Sequence, residues 1–145
     1  MGNRRGGLAA ERLRASSDYD QARGDDELYP GIDIIEIERF TGACERRAGL
    51  AARLFTEREL TELASRPRQT WAGRFAAKEA VLKCLGTGIG RLAWHDVEIL
   101  ASGNGEPTVW LSERAVAKAK GRGGEGVRVS IAHDRTKAVA VAILV

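Results

Sequence analysis

Asp33, Glu79, Lys78 and Lys83, followed by the run Gly86-Thr87-Gly88, are the residues of this chain whose types and spacing could do chemistry. Glu79 and Lys83 lie four apart in a stretch rich in alanine and long unbranched residues, so on a helix they point to one side. Asp33 falls within Ile32-Asp33-Ile34-Ile35-Glu36-Ile37, where strand alternation places it on the face of Ile35 and Ile37. That is an expensive place for a carboxylate without a cation or several donors. Two carboxylates from different elements are what a magnesium site commonly uses, with waters and phosphate oxygens completing the octahedron. Lysines and loop amides can then balance the remaining phosphate charge. The pattern therefore fits a metal-dependent phosphoryl-transfer site, and it fits a set of merely structural charges as well.

The elements that must position these residues can be read along the chain. The stretch from Trp71 to Leu85 is predicted to be a central helix that Gly86 ends by taking the left-handed conformation. At about 100° per residue, Trp71, Phe75, Leu82 and Leu85 fall in one arc and form the expected buried stripe. Lys78 lies inside that arc and needs an anionic partner, while Arg74 sits at its edge. Pro30-Gly31 is turn chemistry that opens the first strand, Ile32 to Ile37, expected to be buried on both faces. A helical pattern follows from Glu38 to Arg53, weakened by Gly42 and Gly49, with Arg39, Arg46 and Arg53 recurring every seventh residue along one side. Such a row is either a solvated face or a docking strip for an acidic protein. Thr56 and Glu59 form a capping box for a short helix through Ala64. Trp94 to Leu100 and Pro107 to Leu111 read as a hairpin, Ser112 caps a helix, and a flexible glycine linker covers Gly121 to Gly126. Val127 to Val145 is the clearest hairpin, in which His133 ends an apolar row at the mouth of the turn.

The whole chain bounds these readings. Its 145 residues suit one α+β domain with a real core. Lysine and arginine number 23 against 20 acidic residues, a formal net charge of +3, so composition alone does not indicate a nucleic-acid binder. Cys44 and Cys84 lack metal or redox spacing and are expected to pack as small hydrophobes. No apolar run reaches membrane-spanning length and the N-terminus lacks a hydrophobic secretion segment, so a cytoplasmic protein without membrane or nucleic-acid partners is expected. Residues 1–29 are polar, arginine- and glycine-rich and without periodicity, and read as a disordered or loosely held extension before a domain over 30–145.

Several motifs are more specific than periodicity. Gly31-Ile32-Asp33-Ile34-Ile35-Glu36-Ile37, Leu54-Phe55-Thr56-Glu57-Arg58-Glu59-Leu60, Gly73-Arg74-Phe75-Ala76-Ala77-Lys78-Glu79-Ala80, and Lys83 leading to Leu85-Gly86-Thr87-Gly88 resemble, in order and spacing, the motifs of holo-(acyl carrier protein) synthases, the small 4'-phosphopantetheinyl transferases. Trp94-His95-Asp96-Val97-Glu98 and Ser130-Ile131-Ala132-His133 extend the resemblance to the end of the chain. It implies a small antiparallel sheet packed against the long helix, and transfer of the 4'-phosphopantetheine arm of coenzyme A to a serine of an apo carrier protein, leaving adenosine 3',5'-bisphosphate. By the same resemblance Asp33 and Glu79 match magnesium ligands, and Glu79 and Lys83 are the expected catalytic residues. Arg74, Lys78, Lys83, Gly86, Thr87, Gly88 and His133 match positions lining the coenzyme site. Arg39 matches a carrier-binding position, to which Arg46 and Arg53 are added by their spacing. The family's members of this length resemble homotrimers with sites between subunits, so the Asp33/Glu79 pair and His133 are expected to come from different chains.

Other functions remain to be separated from this one. A magnesium-dependent nuclease also joins two carboxylates to a lysine, usually with the lysine two residues after the glutamate on a strand. A non-catalytic basic module would bind through its arginines alone, with salt-sensitive affinity indifferent to Asp33.

Overall fold

A computed structural model describes residues 27–86 and 92–145. The expected N-terminal extension up to residue 26, and Thr87 and Gly88 of the glycine loop, lie outside the described residues. Strand β1 covers Pro30–Glu36, followed by helices α1 (Ile37–Arg46), α2 (Leu50–Leu54), α3 (Glu57–Leu63) and α4 (Arg68–Cys84). A 3-10 turn, Trp94–Asp96, leads into β2 (Val97–Ala101) and β3 (Pro107–Leu111); α5 (Glu113–Gly121), β4 (Val127–His133) and β5 (Lys137–Leu144) complete the chain. An antiparallel sheet of order β1-β5-β4 and a separate β2-β3 ribbon flank α4, in the α+β arrangement expected.

Local signals account for the boundaries. Thr56 Oγ1 accepts the Glu59 N–H at 3.2 Å while Glu59 returns a carboxylate to the Thr56 N–H at 2.8 Å, so both halves of the capping box are made. Ser112 Oγ accepts from Ala115 N–H, and Gly86, at φ 71°, ends α4. At the β4–β5 turn, Asp134 Oδ1 accepts the N–H groups of Thr136 and Lys137 at 2.8 and 2.7 Å.

Helix α4 is the core of the molecule, but not through the stripe its large residues suggest. Trp71, Phe75 and Leu82 are only partly buried, whereas Ala72, Ala76, Ala77, Ala80 and Cys84 are completely enclosed. The helix lies between the sheet and the β2-β3 ribbon with α1 across one end, so small residues set its distance from its neighbours. Ala138, Ala140 and Ala142 of β5 face it, and a side-chain carbon at Gly31 would overlap the Ala80 carbonyl oxygen. Beyond this contact, Phe40 stacks on Phe75 at 4.6 Å and meets Phe55 edge-on at 6.3 Å, joining α1 and α4 into a second cluster.

Four expectations are corrected. Strand β1 ends at Glu36, and Ile32 and Ile34 are each 60% exposed instead of buried, because no element among the described residues covers the outer face of this sheet. The helix expected over 38–53 is two helices, since Gly49 adopts φ 81° between them. Trp94 to Asp96 form a 3-10 turn ahead of β2 and are not part of the strand. The glycine run after α5 is pinned: Gly126 and Val145 exchange backbone hydrogen bonds at 3.0 and 2.9 Å, and Gly124 is buried against Leu144.

Candidate active site

The inward face of β1 delivers Asp33 to α4, opposite Ala140 of β5, as alternation requires. Lys83 Nζ lies 2.8 Å from Asp33 Oδ1 and 2.8 Å from the Ile32 carbonyl oxygen. The other carboxylate oxygen, Asp33 Oδ2, is buried and accepts no hydrogen bond. Glu79 stands one turn before Lys83 on the same helix. Burial, and next the Asp33 charge, push its carboxyl above the ordinary range, with Lys83 pulling weakly the other way. Asp33 thus holds the Lys83 ammonium while Glu79 feels the charge of both, and a buried oxygen is left without a donor.

Magnesium fits this donor set. The ion takes hard oxygen ligands, and Asp33 and Glu79 supply carboxylates from two elements, one with an unused buried oxygen. Among the described residues no group of three or more histidine, cysteine or acidic side chains could hold a metal, so water and an anionic ligand would have to complete any shell built on this pair.

Lys78, expected beside the coenzyme, is fully enclosed. It donates to Glu59 Oε2 at 2.7 Å and to the Val97 carbonyl at 2.5 Å. Burial pushes its ammonium below the ordinary value, against the opposing pull of Glu59. Its place within the apolar arc is therefore explained by a carboxylate on α3. Glu59 went unrecognised as that partner because a capping-box glutamate normally faces solvent. A second pair runs beside it: Arg74 donates to the Ile99 carbonyl and meets Glu62 at 3.3 Å. Glu59 and Glu62, three apart on α3, face the two basic residues four apart on α4, and that matched spacing is the signal from which the pairing could have been read.

Arg74 nevertheless borders a groove between the start of α4, the β2-β3 ribbon and β4, where it is joined by Gly73, Pro107, Ser130 and His133. His133 is exposed at the end of β4, with its ring Nδ1 3.4 Å from the Asp134 carbonyl. This groove borders β4, the edge strand opposite β1, so His133 stands across β5 from the strand that carries Asp33. Gly86 lies at the C-terminal end of α4, just past Lys83.

The arginine row is not continuous. Arg39 is exposed on α1 and borders a cleft with Arg68, Arg135 and Lys137, three basic residues that spacing does not reveal because they come from separate segments. Arg46 folds back over Gly42, and Arg53 lies on α2 beyond the break at Gly49.

The fold, with a carboxylate pair between a helix and a sheet edge, is joined by a direct finding: the chain belongs to the 4'-phosphopantetheinyl transferase superfamily, whose family model matches residues 29–140. Within it the similarity runs to holo-[acyl-carrier-protein] synthases. The enzyme of that name from Moorella thermoacetica is 44% identical over 119 residues, covering 81% of this chain and 93% of the relative. The Helicobacter pylori synthase, solved in complex with coenzyme A, superposes with a TM-score of 0.70 at 30% identity, over 80% of this chain and 99% of that one. The Bacillus anthracis synthase, solved with CoA (3',5'-ADP), gives 0.65 at 32% identity over 79% and 93%.

Proposed function

We infer that this chain is a holo-(acyl carrier protein) synthase, moving the 4'-phosphopantetheine group of coenzyme A to a serine of an apo carrier protein and releasing adenosine 3',5'-bisphosphate. The observation that carries the reading is the Asp33 carboxylate, held by Lys83 through one oxygen and bare at the other beside Glu79, in a chain so similar to synthases of that name. The position of Lys83 on a helix, four residues after Glu79, also departs from the nuclease pattern.

Asp33 and Glu79 would hold magnesium, which when bound supplies positive charge to the diphosphate and its leaving group. Lys83, half exposed, adds a mobile ammonium for charge developing on the phosphate oxygens. Glu79, whose carboxyl is raised by burial and next by Asp33 without the ion, would serve catalysis through the cation it helps to hold, which would favour its ionised form. Arg74, His133 and Gly86 would border the coenzyme, and Arg39, with its basic cleft, would meet an acidic carrier.

The assembly in this reading is a homotrimer with each site between subunits. Two features support it. The metal pair and the His133 groove lie at opposite edges of one sheet, and that sheet's outer face exposes Ile32, Ile34, Val141 and Ile143. Incubation with apo carrier protein, coenzyme A and magnesium should add a phosphopantetheinyl mass to the carrier. No product from a carrier that another synthase modifies would defeat the assignment, and a monomer in sedimentation would defeat the shared site.

A further inference from the structure

We propose that Lys83 occupies Asp33 in place of the metal in the metal-free chain and releases it when a divalent cation binds, so that metal entry is an exchange of cations on one carboxylate. The inference rests on reading Asp33 and Glu79 as the metal pair.

The geometry of Lys83 is that of a placeholder. Its ammonium donates to Asp33 Oδ1 and to the Ile32 carbonyl, both on β1 and both at 2.8 Å, and while so engaged those donors are unavailable to a phosphate. The bond is easily surrendered: the Lys83 side chain is 53% exposed, so solvent screens the pair and can solvate the freed ammonium. Asp33 gains from the exchange, because Oδ2, now without any donor, lies on the same carboxylate a cation would bind. Charge points the same way. Asp33, Glu79 and Lys83 together carry one formal negative charge in excess, which a divalent ion turns into an excess of one positive charge. A cluster that would repel a diphosphate becomes one that attracts it, and the released ammonium adds its donors to the same surface.

The test uses Mn2+ alone, without coenzyme A, with free ion followed by electron paramagnetic resonance on the full chain. Lys83→Met should bind Mn2+ about fivefold more tightly than wild type, equivalent to about 1 kcal/mol, since the cation no longer displaces an ammonium. Equal or weaker binding would overturn the exchange. Asp33→Asn in the same titration separates the two layers of the argument. If it keeps wild-type affinity, the metal-site reading itself fails; if it binds poorly while Lys83→Met is unchanged, only the exchange fails. A second readout needs no variant: reductive methylation of wild-type Lys83, mapped by mass spectrometry, should be faster in Mg2+ than in chelator. An equal or slower rate would also overturn the exchange.

Discussion

Lys78 and Lys83 stand on the same helix, and each bonds one carboxylate and one main-chain carbonyl from a neighbouring element. Around Lys78 everything is satisfied. Both partners are fully buried, and Glu59 also accepts the N–H groups of Thr56 and Ile99, so its two oxygens are in use. Around Lys83 the pair is open to solvent on one side and unfinished on the other, where Asp33 Oδ2 has no donor. The same chemical pair is thus a closed joint in one place and an open one, proposed as the working site, in the other. What separates them is whether the carboxylate keeps an oxygen without a donor, and neither residue type nor helical spacing reports that.

The sharpest way to break this comparison is to change one carboxylate of the open site. Asp33→Asn keeps the shape of the side chain but not its charge, and the transfer rate should fall by about a thousandfold, as expected when charge stabilisation in the transition state is lost. Its stability should change by less than about 1 kcal/mol because the ion pair it removes is exposed on the lysine side. Carrier mass analysis and a urea titration check the two halves; substantial unfolding with activity retained would reverse the roles assigned to the two lysines.

The mirror experiment is Lys78→Met. It leaves Glu59 charged, buried and without its cation, which should cost about 3–5 kcal/mol. The folded fraction should keep its activity. Urea midpoints at fixed subunit concentration measure the loss, since assembly contributes to apparent stability. If instead stability is kept and the KM for coenzyme A rises, Lys78 belongs to the ligand site, as the sequence motif implies.

A third change tests how the open site is held. Gly31→Ala puts a carbon against the Ala80 carbonyl and must push β1 off α4 two residues from Asp33. Overpacking of this kind costs about 1–3 kcal/mol. Because the shift separates Asp33 from Glu79, metal affinity should fall along with stability, which a purely structural glycine would not require. Metal titration of the folded variant decides it.

These pairs also show how much of the molecule was legible beforehand. The capping box, the Gly86 stop and the closing hairpin are local, and local signals carried them. Alternation put Asp33 on the face of Ile35, as found, and four-residue spacing put Glu79 and Lys83 one turn apart on the helix. The partner of Lys78 was not legible, because Glu59 lies 19 residues away and its cap motif looks complete without a lysine. The arginine row failed for another reason: a seven-residue repeat assumes an unbroken helix, and Gly49 takes a positive φ that its sequence permits without dictating. Alternation also says which isoleucines of β1 share a face, but not whether anything covers it, so the exposure of Ile32 and Ile34 came only from the structure.

The smallest expected effect concerns the price of keeping a site unfinished. Burial and the Asp33 charge raise the Glu79 carboxyl above the 4.5 it has unperturbed, so the folded chain holds that proton more tightly than the unfolded chain does. Below the unfolded value both states are protonated and the group is neutral in its effect. As pH rises past it, the unfolded state ionises first, and the folded state is destabilised by an amount that is complete once pH exceeds the folded value. Glu79→Gln should therefore stabilise the metal-free protein at neutral pH, by less than about 1 kcal/mol because solvent screens a half-buried group, and the gain should vanish near pH 4. Saturating magnesium should stabilise wild type but not the variant, removing or reversing the difference. Melting curves in chelator and in magnesium at both pH values check this. If Glu79→Gln were destabilising in chelator at neutral pH, the carboxylate would be serving the fold, and the open site would be no more than a second closed joint.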